Sequence, residues 1–309
     1  MKKKETPMKK YERMFHNRFP ILAAALVAGL VLQGCGLTLA QKKAVGDFSS
    51  ATAAVGKTAS SELATMRDEV IAMNVSRIQL KGVEQDEPGL DKLEEQFTVE
   101  ATMTRQRATD ALRTYGDLLK TLAETDRTED IKKSTDELLA SYQGLPDSYR
   151  KMSKEELDAV AKALQAVGGF WVEYEKAKAV KTVVNNSNLQ IAHLCKLLQE
   201  DFDPGVDGKL SSQFLNTTER LLVDADEVME KSKNFTERAA ATAALQKAKE
   251  NRLRRDTVVK ALSNSIGTVS AANAELVKAV NSKEFTVKDI EALQKNVKIL
   301  SDAIQVLRR

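Results

Sequence analysis

Proline is almost absent from this chain beyond residue 34. Of the five prolines in the sequence, only Pro88, Pro146 and Pro204 lie there, each in a turn-like cluster. The stretches between them are rich in Ala, Leu, Lys and Glu and contain no long alternation of apolar and polar residues. The sequence therefore predicts an all-α fold, an elongated antiparallel helical bundle with coiled-coil-like hairpins.

The spacing of apolar residues predicts three helices in the first half of the chain. They recur at steps of three and four from Thr38 to about Gln85, where an acidic Pro-Gly turn ends the first helix. A second helix is expected to begin at Leu90 and to break across residues 125–128. The third is a short helix, Glu129–Gln143, which ends at a glycine and a proline.

The middle of the chain opens on a clear helix start. Ser153 and Glu156 form a capping box, in which a hydroxyl is followed three residues later by a carboxylate. The apolar seam then continues to Phe202, which predicts one helix of about 50 residues. Gly168 and Gly169 would kink it.

The last third of the chain is predicted to contain three further helices. The first begins near Lys209. Asn234 can cap a new helix and favours a break there, whereas the spacing of Phe235 also fits an uninterrupted helix. The helix after the break runs to Asn281, and a second capping box, Thr286-Val287-Lys288-Asp289, begins the last one. The last two helices should pack as an antiparallel hairpin. Its inward seam comprises Val259, Leu262, Ile266, Val269, Asn273, Leu276, Val280, Ile290, Leu293, Val297, Leu300, Ile304 and Leu307.

The N-terminus has the charge order of a secretory signal. Seven Lys and Arg residues precede an uncharged apolar run, Ile21 to Leu32, which leads directly into Leu32-Gln33-Gly34-Cys35. The run is shorter than the roughly 18 residues that a membrane span needs. Leader, apolar core, small residue and cysteine together resemble the lipobox of bacterial lipoprotein precursors.

This resemblance implies a diacylglyceryl group on the Cys35 sulfur, signal cleavage between Gly34 and Cys35, and acylation of the freed amine. More than one acyl chain makes a stable membrane anchor on the extracytoplasmic side of the cell envelope. In the family, an aspartate after the cysteine favours the inner membrane of Gram-negative cells. Gly36 stands at that position, so the outer membrane is favoured if the organism has one. The alternative is an uncleaved anchor extended by residues 36–40.

The chain is accordingly divided into three segments. Residues 1–34 are the signal peptide, residues 35–50 the lipidated N-terminus and tether, and residues 51–309 the helical bundle. The tether is expected because its composition of small residues, with Gly46 among them, lowers helix propensity.

The positive charge of the chain belongs to its leader. The chain has 47 Lys and Arg against 44 Asp and Glu, of which 7 and 2 lie in residues 1–34. The remaining 40 and 42 make the rest slightly acidic, so we expect no nucleic-acid partner.

One turn has the composition of a partial calcium loop. Asp203, Asp207 and Gly208 match the first, fifth and sixth positions of the motif. The same frame puts Gly205 and Phe214 at the third and twelfth positions, where oxygen ligands are required. We therefore interpret the segment as a helix-terminating turn, with Asp203 and Asp207 kept as calcium candidates, and expect no metal or cofactor.

Few other residues are candidates for chemistry. Trp171 and Tyr174 are the only concentration of aromatic residues after the leader; their helical spacing favours the core, and a binding pocket is the alternative. His193 and Cys195 point about 200° apart around a helix, so they cannot share a ligand. We interpret Cys195 as a core residue and His193 as a flank residue.

Asparagine interrupts the apolar seams at two positions, Asn188 and Asn273. A single polar residue at a seam position sets the register of a helix pair. We interpret both as polar core residues rather than ligands.

These patterns favour a non-enzymatic protein. After the leader, no phosphate-binding loop, nucleophile motif or zinc spacing occurs. The function that we expect is a lipid-anchored helical binding or structural module for a protein partner in the envelope. The alternatives are a ligand-binding or sensory bundle and a helical pore-forming or toxin-related protein.

Overall fold

A computed structural model describes residues 36–81, 93–125, 127–167 and 172–307. All regular structure in these ranges is helical and packs on a shared apolar core, which confirms the all-α prediction. The helices are α1 (Leu39–Lys81), α2 (Val99–Glu124), α3 (Thr128–Gln143), α4 (Lys154–Gln165), α5 (Val172–Phe202), α6 (Leu210–Lys231), α7 (Phe235–Arg254), α8 (Lys260–Asn281) and α9 (Lys288–Leu307).

Helix α1 is the axis of the bundle. Its 43 residues span about 65 Å, and α2, α6, α7, α8 and α9 all pack against it. Ala44, Val45 and Phe48 are fully buried, so the bundle begins at Leu39, and the prediction of a tether over residues 35–50 is wrong for most of that stretch. Small residues there lower helix propensity but let α2 approach closely, and this packing decides the structure.

The second helix begins later than the sequence predicted. Residues 93–96 form a turn instead of helix, and α2 starts at Val99, where the Thr98 hydroxyl accepts a hydrogen bond from the Ala101 amide. The turn is fixed from α1, because Asn74 Nδ2 donates to the Leu93 carbonyl at 2.9 Å. The acidic turn around residue 88 lies outside the described residues.

The predicted 50-residue helix is two helices. The capping box at Ser153 is present, but α4 ends at Gln165. Gln190, near the middle of α5, accepts from the amides of Lys151 and Met152 at 2.6 and 3.0 Å. This bond places the start of α4 beside the middle of α5, so α4 must run back along α5. Gly168 and Gly169 lie outside the described residues.

The C-terminal hairpin forms as predicted, with two local differences. Asn234 caps α7, its Oδ1 accepting from the Thr236 amide at 2.8 Å, and α7 continues into α8 through a π-helical turn, Arg255–Val259. The predicted seam is buried along α8. On α9, Leu300 is buried, but Val297, Ile304 and Leu307 are only half-buried.

The predicted capping box before α9 is wrong. The buried carboxylate of Glu275, from α8, accepts hydrogen bonds from the amides of Asp289 and Ile290 at 2.8 and 3.3 Å. It also accepts from the Thr286 hydroxyl. The N-terminus of α9 is therefore capped by its neighbour in the hairpin.

The two seam asparagines meet where buried Asn273 contacts half-buried Asn188. Asn273 Nδ2 donates to Asn188 Oδ1 at 2.9 Å, and the Tyr115 hydroxyl donates to Asn273 Oδ1 at 2.8 Å. The bonds join α2, α5 and α8, as expected of polar core residues. Within the described ranges, no helix carries an apolar stretch sufficient to traverse a bilayer.

Candidate functional site

Part of the predicted site falls on undescribed residues. Gly34, Cys35 and Trp171 lie outside the described ranges. Tyr174 lies in the first turn of α5 with 45% of its surface exposed, so its prediction as a core residue is wrong. The pocket that would pair it with Trp171 remains a hypothesis.

The turn at Asp203 and Asp207 is held by a hydrogen bond within the turn and by the backbone conformation of a glycine. Asp203 Oδ1 accepts from the Gly205 amide at 2.8 Å, and Gly208 has a left-handed backbone with φ of 73°. Phe214, at the twelfth position of the calcium frame, is fully buried in the core and supplies no ligand. Across the described ranges, no group of three or more His, Cys, Asp or Glu side chains is arranged to hold a metal.

His193 and Cys195 separate as helical geometry predicted. His193 Nε2 lies 2.8 Å from the carbonyl oxygen of Ser148, at the edge of the bundle. Cys195 is buried, and desolvation raises the pKa of its thiol to about 12. A thiol in that environment is inert, which confirms Cys195 as a core residue.

The start of α1 marks one end of the bundle, which we call the proximal end. Gln41 Nε2 donates to the carbonyl oxygens of Ala279 and Ser282 at 2.7 and 3.1 Å, which places the end of α8 there. Lys42 pairs with Glu173 at the start of α5, and this hydrogen bond lowers the pKa of Glu173. The start of α1, the start of α5 and the end of α8 therefore lie together at the proximal end. Cys35 precedes the start of α1 by only a few residues in the sequence.

The end of α1 marks the opposite, distal end. Buried Asp224, near the end of α6, accepts from Arg77 Nε at 2.6 Å and lies 2.9 Å from Lys81 Nζ. At 1.5 Å per residue, about 55 Å separates Gln41 from Arg77 along α1. The turn between α6 and α7, which follows Asp224, consequently lies far from the proximal end.

We call residues 232–235 the distal turn. Its backbone is fixed: the Asn234 amide donates to Ser232 Oγ at 3.0 Å, and Arg238 Nη1 donates to the carbonyl of Met229 at 2.8 Å. Phe235 nevertheless has 86% of its surface exposed. The sequence could not identify it, because its spacing also fits the core seam of α6.

A groove of about 480 Å³ lies beside the distal turn. Leu80 and Val228 supply apolar surface, and the charged side chains include Lys231, Glu227 and Glu237. Lys231 pairs with Glu227, and their hydrogen bond lowers the pKa of Glu227 and raises that of Lys231. The distal end therefore combines an exposed aromatic side chain with a groove that is lined by apolar surface and by charges of both signs.

Comparison with protein-family models, curated proteins and solved structures gives no match for this chain. The class of protein is defined by the fold itself, an all-α bundle built along one helix of 43 residues. Its distal end presents an exposed phenylalanine on a turn closed by hydrogen bonds.

Proposed function

We propose that this chain is a lipid-anchored, non-enzymatic protein of the bacterial cell envelope whose bundle binds a protein partner through its distal end. The observation that carries the proposal is Phe235, an aromatic side chain that is exposed on a turn fixed by hydrogen bonds. Because hydrogen bonds already order the backbone of this turn, a partner that covers Phe235 does not have to order the turn, which lowers the entropic cost of binding.

The anchor is supported by the sequence and by where the bundle starts. Cys35 ends the lipobox-like segment, and α1 begins at Leu39. A lipid on Cys35 would hold the proximal end near the bilayer on a link of a few residues. Gly36 after the cysteine favours the outer membrane in a Gram-negative cell. With the bundle upright on that anchor, the distal turn would stand about 55 Å or more from the proximal end.

The chemistry of the distal end supports a protein as the partner. Aromatic residues dominate the binding energy of protein interfaces, and full burial of a Phe side chain contributes about 1.5 to 3 kcal/mol. Charges of both signs beside it, such as Lys231 and Glu237, suit the mixed polar rim of such an interface.

A photo-crosslinking amino acid placed at Phe235 in living cells tests the partner. We expect a discrete crosslinked protein from position 235, with none from Leu189, an exposed residue of α5 that serves as the matched control. Phe235→Ala should abolish co-purification of that crosslinked protein with the wild-type anchor in place. Equal crosslinking from both positions would contradict binding through the distal end.

The anchor has a separate test. Intact mass of the envelope-derived protein should show a chain that begins at a lipidated Cys35, and Cys35→Ala should leave an unprocessed precursor. An unlipidated wild-type chain, or one that keeps residues 1–34, would refute the lipoprotein assignment without bearing on Phe235.

A further inference from the structure

A notch opens in the flank of the bundle where the end of α9 meets α1 and the end of α7. It has a volume of about 350 Å³, within the range of small-molecule sites. At its base, Arg254 Nη1 lies 3.2 and 3.0 Å from the two carboxylate oxygens of Glu62. Glu62 is only 5% exposed, so its carboxylate is removed from bulk water, whereas the Arg254 side chain stays partly accessible.

The single carboxylate of Glu62 does not balance the positive charges that line the notch. Burial raises the pKa of Glu62 and outweighs the opposite effect of Arg254, so one arginine does not fully compensate the burial of this carboxylate. Arg254 binds Glu62 through Nη1 alone; among the described residues, its Nε and Nη2 and the Nζ of Lys57 have no partner. With two cations and one carboxylate lining it, the notch has a net positive charge.

The lining of the notch also includes apolar side chains. Ile304 and Leu307, in the last turns of α9, are only half-buried, and Val258 of the π-helical turn lies beside them. The π-helical turn begins directly after Arg254, and such turns are frequent at functional sites. Positive charge with spare donors and a partly uncovered apolar surface therefore line the same notch.

We propose that this notch binds a small amphipathic carboxylate, a molecule with one anionic head group and a short alkyl tail. The spare donors of Arg254, with Lys57 and the hydroxyl of Ser61, would take the head group. Ile304 and Leu307 would cover the tail. The site is independent of the lipid anchor and of the distal turn, since none of its residues belongs to either.

Methyl NMR of the full chain in lipid nanodiscs tests this proposal, with hexanoate as the probe. The δ1 methyl signal of Ile304 should shift saturably, with a dissociation constant of about 1 mM for a ligand of this size. The methyl signal of Ile266, fully buried in α8, should stay in place. Acetate, which lacks the tail, and hexanol, which lacks the charge, should each bind at least about tenfold more weakly.

Three variants assign the binding to named groups. Arg254→Met should raise the dissociation constant of hexanoate by at least about tenfold. Arg252→Met, which removes an exposed arginine paired with Glu219, should leave this dissociation constant unchanged. If Arg254→Met does not fold, Lys57→Gln offers a second test, because it removes an exposed cation. It should raise the dissociation constant of hexanoate by about threefold. No saturable shift of Ile304, equal shifts with hexanol, or equal effects of the two arginine variants would each overturn the proposal.

Discussion

Gly56 of α1 and Gly116 of α2 hold reciprocal positions, each against the backbone of the other helix. A Cβ atom on Gly56 would lie 2.7 Å from the Arg113 amide nitrogen, and one on Gly116 would lie 2.6 Å from the Ser49 carbonyl oxygen. Such distances are shorter than van der Waals contact. The close approach of α1 and α2 at these two points therefore depends on the absence of a side chain at both positions.

Gly56→Ala should destabilise the protein by about 1 to 3 kcal/mol, because the added methyl group forces two backbones apart. Gly46→Ala is the matched control on the same helix, since a Cβ there meets nothing within 4 Å. It should stabilise the fold by about 0.5 to 1 kcal/mol through helix propensity alone. Urea unfolding of the chain from Gly36 onward measures both, and a stabilising Gly56→Ala would contradict the close crossing.

These glycines also show what the sequence could predict. Helical spacing identified the fold, the core position of Cys195 and the break at Asn234, because each depends on neighbours within a few residues. From the sequence alone, Gly56 is only a residue that lowers helix propensity, since its contact is with a segment more than 50 residues away. Local pattern carries no information about such a partner.

The same limit explains the errors elsewhere. The return of α4 along α5 is held by the bonds from the Lys151 and Met152 amides to Gln190, a contact across almost 40 residues that no local pattern encodes. Phe235 fits the seam of α6 by spacing, but the turn at Asn234 takes it out of that helix. Candidate sites built from ends of different helices, such as the distal turn, follow only from the packing.

Glu275 should stabilise the C-terminal hairpin by more than an ordinary surface carboxylate. Glu275→Ala leaves the amides of Asp289 and Ile290 without their acceptor and should cost about 1.5 to 3 kcal/mol, as hydrogen bonds to a charged group do. Asp302→Ala, an exposed change on α9, should shift stability by no more than about 0.5 kcal/mol. Urea unfolding compares them, and equal effects would mean that α9 needs no cap from α8.

Cys195 should be unreactive toward a thiol reagent in the folded protein. With its pKa raised to about 12 by burial, only about one thiol in ten thousand is ionised at pH 8. An unfolded cysteine has a pKa of about 8.5, so the folded state loses relative stability as the pH rises from there toward 12. We expect Ellman's reagent to label Cys195 in proportion to the unfolded fraction in urea. Rapid labelling without urea would show that the core around α5 opens locally.

Leu300 tests whether the apolar seam holds α9 in place. It is one of three fully buried residues of α9, so Leu300→Ala removes core contacts and should cost about 2 to 5 kcal/mol. Lys298, two residues earlier, is exposed, and Lys298→Ala should change stability by no more than about 0.5 kcal/mol. Urea unfolding of the chain from Gly36 onward compares the two. Equal effects would mean that α9 is held mainly by its cap at Glu275, and the combined loss in a Glu275→Ala, Leu300→Ala double variant would then match that of Glu275→Ala alone.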